Sequence, residues 1–155
     1  MSLRIRFTRL NPTHHRFEAI RADGTRETLD LETRSFLMHD LVHYVVESEA
    51  ELRASFYGTL AGGGPYDAMS SPMTGEAAQT ESVVGPLQTA VKGEVDADAF
   101  VARSAAYRLQ TGAGPIPWLT ADMIARAVAR LRKIEGRWRA TPFGETMELE
   151  FPPAA

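Results

Sequence analysis

Two histidines and two acids fall in one short segment, Phe36-Leu37-Met38-His39-Asp40-Leu41-Val42-His43-Tyr44-Val45-Val46-Glu47. At 100° per residue, His39, Asp40, His43 and Glu47 share one polar seam about 100° wide. Leu37, Met38, Leu41, Val42, Tyr44, Val45 and Val46 cover the rest of the circumference. The seam holds no Lys, Arg or Gln, the long side chains that a solvent-facing seam usually carries. Two imidazoles four residues apart on a helix have Cβ atoms about 5–6 Å apart. They can therefore grip one divalent ion, because zinc–nitrogen bonds are about 2.0–2.1 Å long. The chemistry expected of such a pair is metal-assisted hydrolysis or lyase chemistry on a small-molecule or peptide substrate. In that reading His39, His43 and Glu47 are the metal-site residues, Asp40 is the catalytic acid/base, and zinc or another divalent metal is the cofactor.

The third ligand is the open question of this seam. Eight residues of helix put Glu47 about 12 Å along the axis from His39. Glu47 either reaches the ion through a bend or orients His43 from behind. The remaining imidazoles, His14 and His15, lie at the first turn between strands and can complete a three-ligand site if that turn packs over the helix. Glu18, Asp67, Glu76 and Glu81 are further oxygen donors that nothing in the sequence brings close. A non-catalytic alternative stands beside this. Buried helices also use His and Asp to satisfy neighbouring polar groups. The seam is then structural, in an interaction protein expected to form homo-oligomers.

The elements that must hold the seam are legible in the pattern. Leu3, Ile5 and Phe7 alternate with Arg4, Arg6 and Thr8, the period of a half-buried strand. Asn11-Pro12-Thr13 turns the chain into a second strand over about 16–21, and Asp23-Gly24 turns it into a third over about 25–31. Helical spacing follows from Ser35, a reasonable N-cap, to about Glu51. A short helix over 53–60 ends at Gly62-Gly63-Gly64-Pro65, and residues 62–76 read as a flexible loop. Two helices are expected over about 76–91, broken or kinked at Gly85-Pro86, and over 97–110. Thr120 caps a further helix that Gly136 ends. A hairpin then joins 137–141 to 145–151 through Pro142-Phe143-Gly144. The tail 152–155 reads as frayed. The order strands, helices, strands implies an α+β domain. Its antiparallel sheet combines an N-terminal three-strand meander with the C-terminal hairpin, packed with four to five helices.

The string His39-Asp40-x-x-His43 resembles the HExxH motif of zinc proteases, with the shorter Asp in place of Glu, and the HDxxH zinc motif of accessory proteins of ubiquinone biosynthesis. In the second family a Glu stands twelve positions after the second His, where this chain has Ser55. Over a longer stretch the chain resembles a group of uncharacterised bacterial conserved proteins whose helix reads Phe-Leu-x-His-Asp-Leu-x-His-Tyr/Phe-x-Val-Glu. That likeness runs through Phe36–Glu47, Phe56-Tyr57-Gly58 and Trp138-Arg139. It implies that the His-bearing helix is the hallmark of the group, and it implies no reaction.

Composition bounds the rest. A chain of 155 residues, 44% hydrophobic and 24% charged, is a single globular domain spanning 1–155. The absence of cysteine removes disulfides, thiolate metal sites and thiol nucleophiles. No segment approaches the ~20 apolar residues of a membrane span or the apolar core of a signal peptide, so no membrane partner and a cytoplasmic location are expected. A net charge of −3 argues against nucleic acid as a general partner. The helix after Thr120 does carry Arg126, Arg130 and Lys133 on one side, but without interleaved aromatics.

Overall fold

The computed structural model describes residues 2–67 and 75–154. Strands β1 (Leu3–Arg9), β2 (His14–Arg21) and β3 (Arg26–Glu32) form the expected meander. Helices α1 (Thr33–Glu49), α2 (Phe56–Ala61), α3 (Gly75–Ala90), α4 (Ala97–Gln110) and α5 (Ala121–Arg139) follow, and β4 (Thr146–Phe151) ends the order. The fold is α+β: one antiparallel sheet, β3-β2-β1-β4, packed with five helices.

Both strand turns form for local reasons. The Asn11 carboxamide accepts the amides of Thr13 and His14, both at 2.9 Å. At the second turn Asp23 accepts from Thr25 N at 2.9 Å, while Gly24 takes φ 89°, a conformation that costs glycine little. Register then follows from the alternation. Phe7 pairs with Phe17 and with Met147, and Leu3 pairs with Phe151. The centre of one face of the sheet is thus apolar, with His15 and Arg21 at the two ends of its β2 row, and it meets α1. The other face carries ion pairs such as Arg6–Glu18 at 3.2 Å.

Helix α1 is the centre of the molecule. It contacts β3, α2, α3 and α5. Leu37 and every residue from Asp40 to Ser48 are buried. Burying a Val, Leu, Ile or Phe side chain contributes roughly 1.5–3 kcal/mol, so this helix is held by packing around its whole girth. Its start lies two residues before the expected one. Glu32 occupies the N-cap position without a side-chain cap bond, and Ser35 inside the first turn donates back to the Glu32 carboxylate.

Three further expectations change. Residues 137–139 are not a strand: α5 runs on through Gly136 to Arg139, and β4 pairs directly with β1. The apolar spacing Ala127, Leu131, Ile134 continues one turn later to the part-buried Trp138, and Arg137 and Arg139 sit favourably at the negative end of the helix dipole. Those gains offset the roughly 1 kcal/mol cost of an interior glycine. Gly85-Pro86 does not break α3, which is one helix from Gly75 to Ala90. Pro86 and Ser82 four residues before it are both exposed, so the carbonyl that loses its amide partner faces water. Of the expected loop 62–76, residues 68–74 lie outside the described residues, Gly75 and Glu76 already belong to α3, and Tyr66 is tied to the body of the protein by its amide on Glu27 at 3.1 Å. Of the tail, Pro152 and Pro153 are partly buried, and Ala155 lies outside the described residues.

Candidate metal centre

The imidazoles of His39 and His43 project from neighbouring turns of α1, with ring centroids 4.8 Å apart and planes at 72°. Opposite them stands α3, whose Glu81 and Gln88, seven residues apart, share one face of that helix. One candidate ligand atom from each of His39, His43 and Glu81 lies within 4.8 Å of the others. His43 is buried, while His39 and Glu81 are part-exposed. The group therefore opens toward solvent on one side.

Each ring is oriented through its other nitrogen. His43 Nδ1 is 3.0 Å from Glu47 Oε2, and His39 Nδ1 is 2.9 Å from Gln88 Oε1. Both partners are acceptors, so both Nδ1 atoms carry the proton, and in the neutral rings the lone pair is on Nε2. This is the arrangement that fixes the tautomer of metal-binding histidines. His43 Nε2 lies 2.6 Å from Glu81 Oε1, an ion pair across the junction when the ring is protonated.

Electrostatics follow from the same neighbours. Burial alone would lower the His43 pKa. Hydrogen bonding and charge from Glu47 and Glu81 outweigh it and raise the value to about 9. Glu47 is pushed up by burial and pulled back by His43 and by backbone amides of α2. One of these bonds is explicit: Glu47 Oε1 accepts from Tyr57 N at 2.9 Å. That amide belongs to the first turn of α2, whose amides have no intrahelical partner. Glu81 is lowered, first by its contact with His43.

The expected site residues thus separate. His39 and His43 converge. Glu47, expected among the ligands, is not in the group; its two oxygens are committed to His43 and to Tyr57 N. Asp40 lies one residue along from His39, but its carboxylate accepts from Tyr66 OH at 2.8 Å and is likewise outside the group. Burial raises the Asp40 pKa to about 7, against the Tyr66 bond and the His43 charge.

Neither turn histidine completes the site. His15 is buried among Phe7 and Trp138 with Nδ1 3.0 Å from Thr33 Oγ1, and His14 Nδ1 is 2.8 Å from Thr13 Oγ1. Of the four oxygen donors left open by the sequence, Glu81 joins the group; Glu18, Asp67 and Glu76 do not. Glu76 instead accepts from Ala54 N at 2.7 Å and Ser55 Oγ at 3.0 Å, which ties the start of α3 to the start of α2. Gln88 was missed altogether, and its spacing of seven from Glu81 is the signal that marks it. Two of the three cations in the α5 stripe are engaged within the protein: Arg126 and Arg130 both pair with Glu49, at 3.1 and 2.8 Å.

No family model matches this chain, and neither a curated protein nor a solved structure matches it. No helix of the described residues is long and apolar enough to cross a membrane.

Proposed function

We propose that the α1–α3 junction holds one divalent transition-metal ion, zinc or an ion of similar preference, through His39, His43 and Glu81. We propose further that the ion activates water for hydrolase or lyase chemistry on a small-molecule or peptide substrate. Two imidazoles and a carboxylate with a fourth position open to water is a donor set of catalytic zinc sites. A bound ion there lowers the pKa of its water toward 7 and polarises a carbonyl or phosphoryl oxygen. Glu47 and Gln88 orient the rings. Asp40, held by Tyr66, is the carboxyl assigned to proton transfer, and its pKa of about 7 suits that role.

The single observation that carries the reading is the matched pair of Nδ1 hydrogen bonds, to Glu47 and to Gln88. Both bonds leave Nε2 as the nitrogen an ion would take on each ring, with displacement of the His43 proton, and Glu81 completes the group. The test is elemental analysis of protein purified without an affinity tag, followed by zinc titration after chelation. About one ion per chain is expected, lost in His43→Gln and Glu81→Gln. Chelator-sensitive cleavage of a panel of chromogenic esters, phosphoesters and amides, restored by zinc, would establish the chemistry. Absence of metal uptake at micromolar free zinc rejects the proposal.

A second reading rests on the Glu47–His43–Glu81 line itself. A protonated His43 clamped between the two carboxylates locks α1 to α3 in a non-catalytic protein. In that case His43→Gln lowers stability without any change in metal content.

A further inference from the structure

We infer that the groove between α3 and α4 binds a small amphiphilic monoanion, a carboxylate or sulfonate on an apolar body, independently of the metal centre. Helix α4 has fourteen residues, and only Phe100 is buried. It packs against α5 and not closely against α3. Helices in direct contact stand about 8–10 Å apart with side chains interdigitated. Here the space between α3 and α4 remains a groove of about 750 Å³, within the roughly 300–1,000 Å³ of small-molecule pockets.

The lining is ordered, and its chemistry is selective. From α4 it takes Phe100, Arg103, Ser104, Tyr107, Arg108 and Thr111, a single face at spacings of three and four. That face would normally be the apolar stripe of a surface helix. In this chain it alternates aromatic rings with two guanidinium groups. Pro86 and Ala90 of α3 form the opposite wall.

Among the described residues no acidic side chain lines the groove. Arg108 is braced, with Nε on Gly114 O at 2.6 Å and Nη1 near Ser82 Oγ at 3.4 Å. Arg103 has no charged or hydrogen-bonding partner among the described residues. An apolar body between Pro86 and Tyr107 would cover the ring of Tyr107, now 67% exposed. Its anionic end would supply the missing partner of Arg103 in a two-pronged hydrogen bond. The metal ligands play no part: Glu81 and Gln88 point from α3 toward α1, well away from the Pro86–Ala90 wall.

The test is calorimetric titration of the full chain with decanoate below its micelle concentration, and with decylamine, which has the same tail and the opposite charge. Saturable binding of one decanoate is expected, with decylamine at least tenfold weaker. Arg103→Glu, at an exposed position that leaves the fold intact, should weaken decanoate at least tenfold. Ser104→Trp should fill the groove and do the same. Equal affinity for the two probes, no effect of Arg103→Glu, or no binding at all overturns the proposal. So does a concentration-dependent dimer that Arg103→Glu dissolves in a protein that takes up no decanoate, which would assign the groove to a second copy of the chain.

Discussion

Glu47 Oε2 stands 3.0 Å from His43 Nδ1, one helical turn away, with both side chains withdrawn from solvent. The other oxygen of the same carboxylate holds Tyr57 N. One buried anion therefore fixes the tautomer of an imidazole and seats the first turn of α2. The geometry of the candidate site and the path of the chain after α1 share a single group.

That sharing predicts a graded response at Glu47. Glu47→Gln keeps an acceptor for His43 but removes the charge, and zinc affinity should fall about 10–100-fold with the fold retained. Glu47→Ala leaves His43 and Tyr57 N without their buried partner and should cost about 3–5 kcal/mol of stability. Competition against a chromogenic chelator reads the first effect and urea unfolding the second. Unchanged zinc affinity in Glu47→Gln would show that the carboxylate does not tune the site.

The three-residue group also predicts a ranking. Glu81→Ala and His39→Ala each remove a proposed ligand and should weaken zinc binding more than Gln88→Ala, which only frees the His39 ring. Glu18→Gln, far from the junction and paired with Arg6, should change nothing. Chelator competition on the four variants checks the order. Equal affinities for Glu81→Ala and Glu18→Gln would remove Glu81 from the site.

Gly58 predicts a change without chemistry. A Cβ there would stand 2.0 Å from Arg53 O, a backbone atom that cannot rotate away. Gly58→Ala should destabilise the protein by at least about 3 kcal/mol, the upper end for overpacking. Gly136→Ala, where the nearest atom is the far end of Arg139 at 3.9 Å, should instead stabilise α5 by about 0.5–1 kcal/mol. Opposite shifts in thermal midpoint are the readout, and like signs would contradict the packing described around α2.

His15 predicts how stability depends on pH. Burial first, then the neighbouring His14 charge, lowers its pKa to about 4 against the opposing pull of Asp30. The folded protein keeps the ring neutral, whereas the unfolded chain binds a proton near pH 6.5. Stability is therefore undiminished above pH 6.5 and is lost as pH falls from 6.5 toward 4, by a total on the order of 1–3 kcal/mol. His15→Phe, packed beside Phe7 and Trp138, should flatten that decline relative to the parent in urea midpoints taken from pH 7 to 4.5. Parallel curves would count against it.

Local pattern carries much of this protein. Alternation set the faces of β1 to β3, turn residues set the hairpins, and helical spacing placed His39, His43 and Glu47 on one seam of α1. Each depends on neighbours in sequence, and each was legible. Two local signals misled. Gly136 read as a stop although the apolar period ran on to Trp138, and Pro86 read as a break although it lies on an exposed face of α3. In both cases the local penalty was about the size of one favourable contact elsewhere, so surroundings decided.

What the chain alone determined is the α+β order and a helix with two imidazoles side by side. Only the tertiary structure decided what those imidazoles meet. Glu81 and Gln88 lie on a helix that begins some three dozen residues after His39, and the packing of α3 on α1 brings them into reach. Glu47 stands outside the group of three, its carboxylate bound to His43 and to a backbone amide of α2. Such placements depend on how whole helices pack, and spacing within one helix does not contain that information.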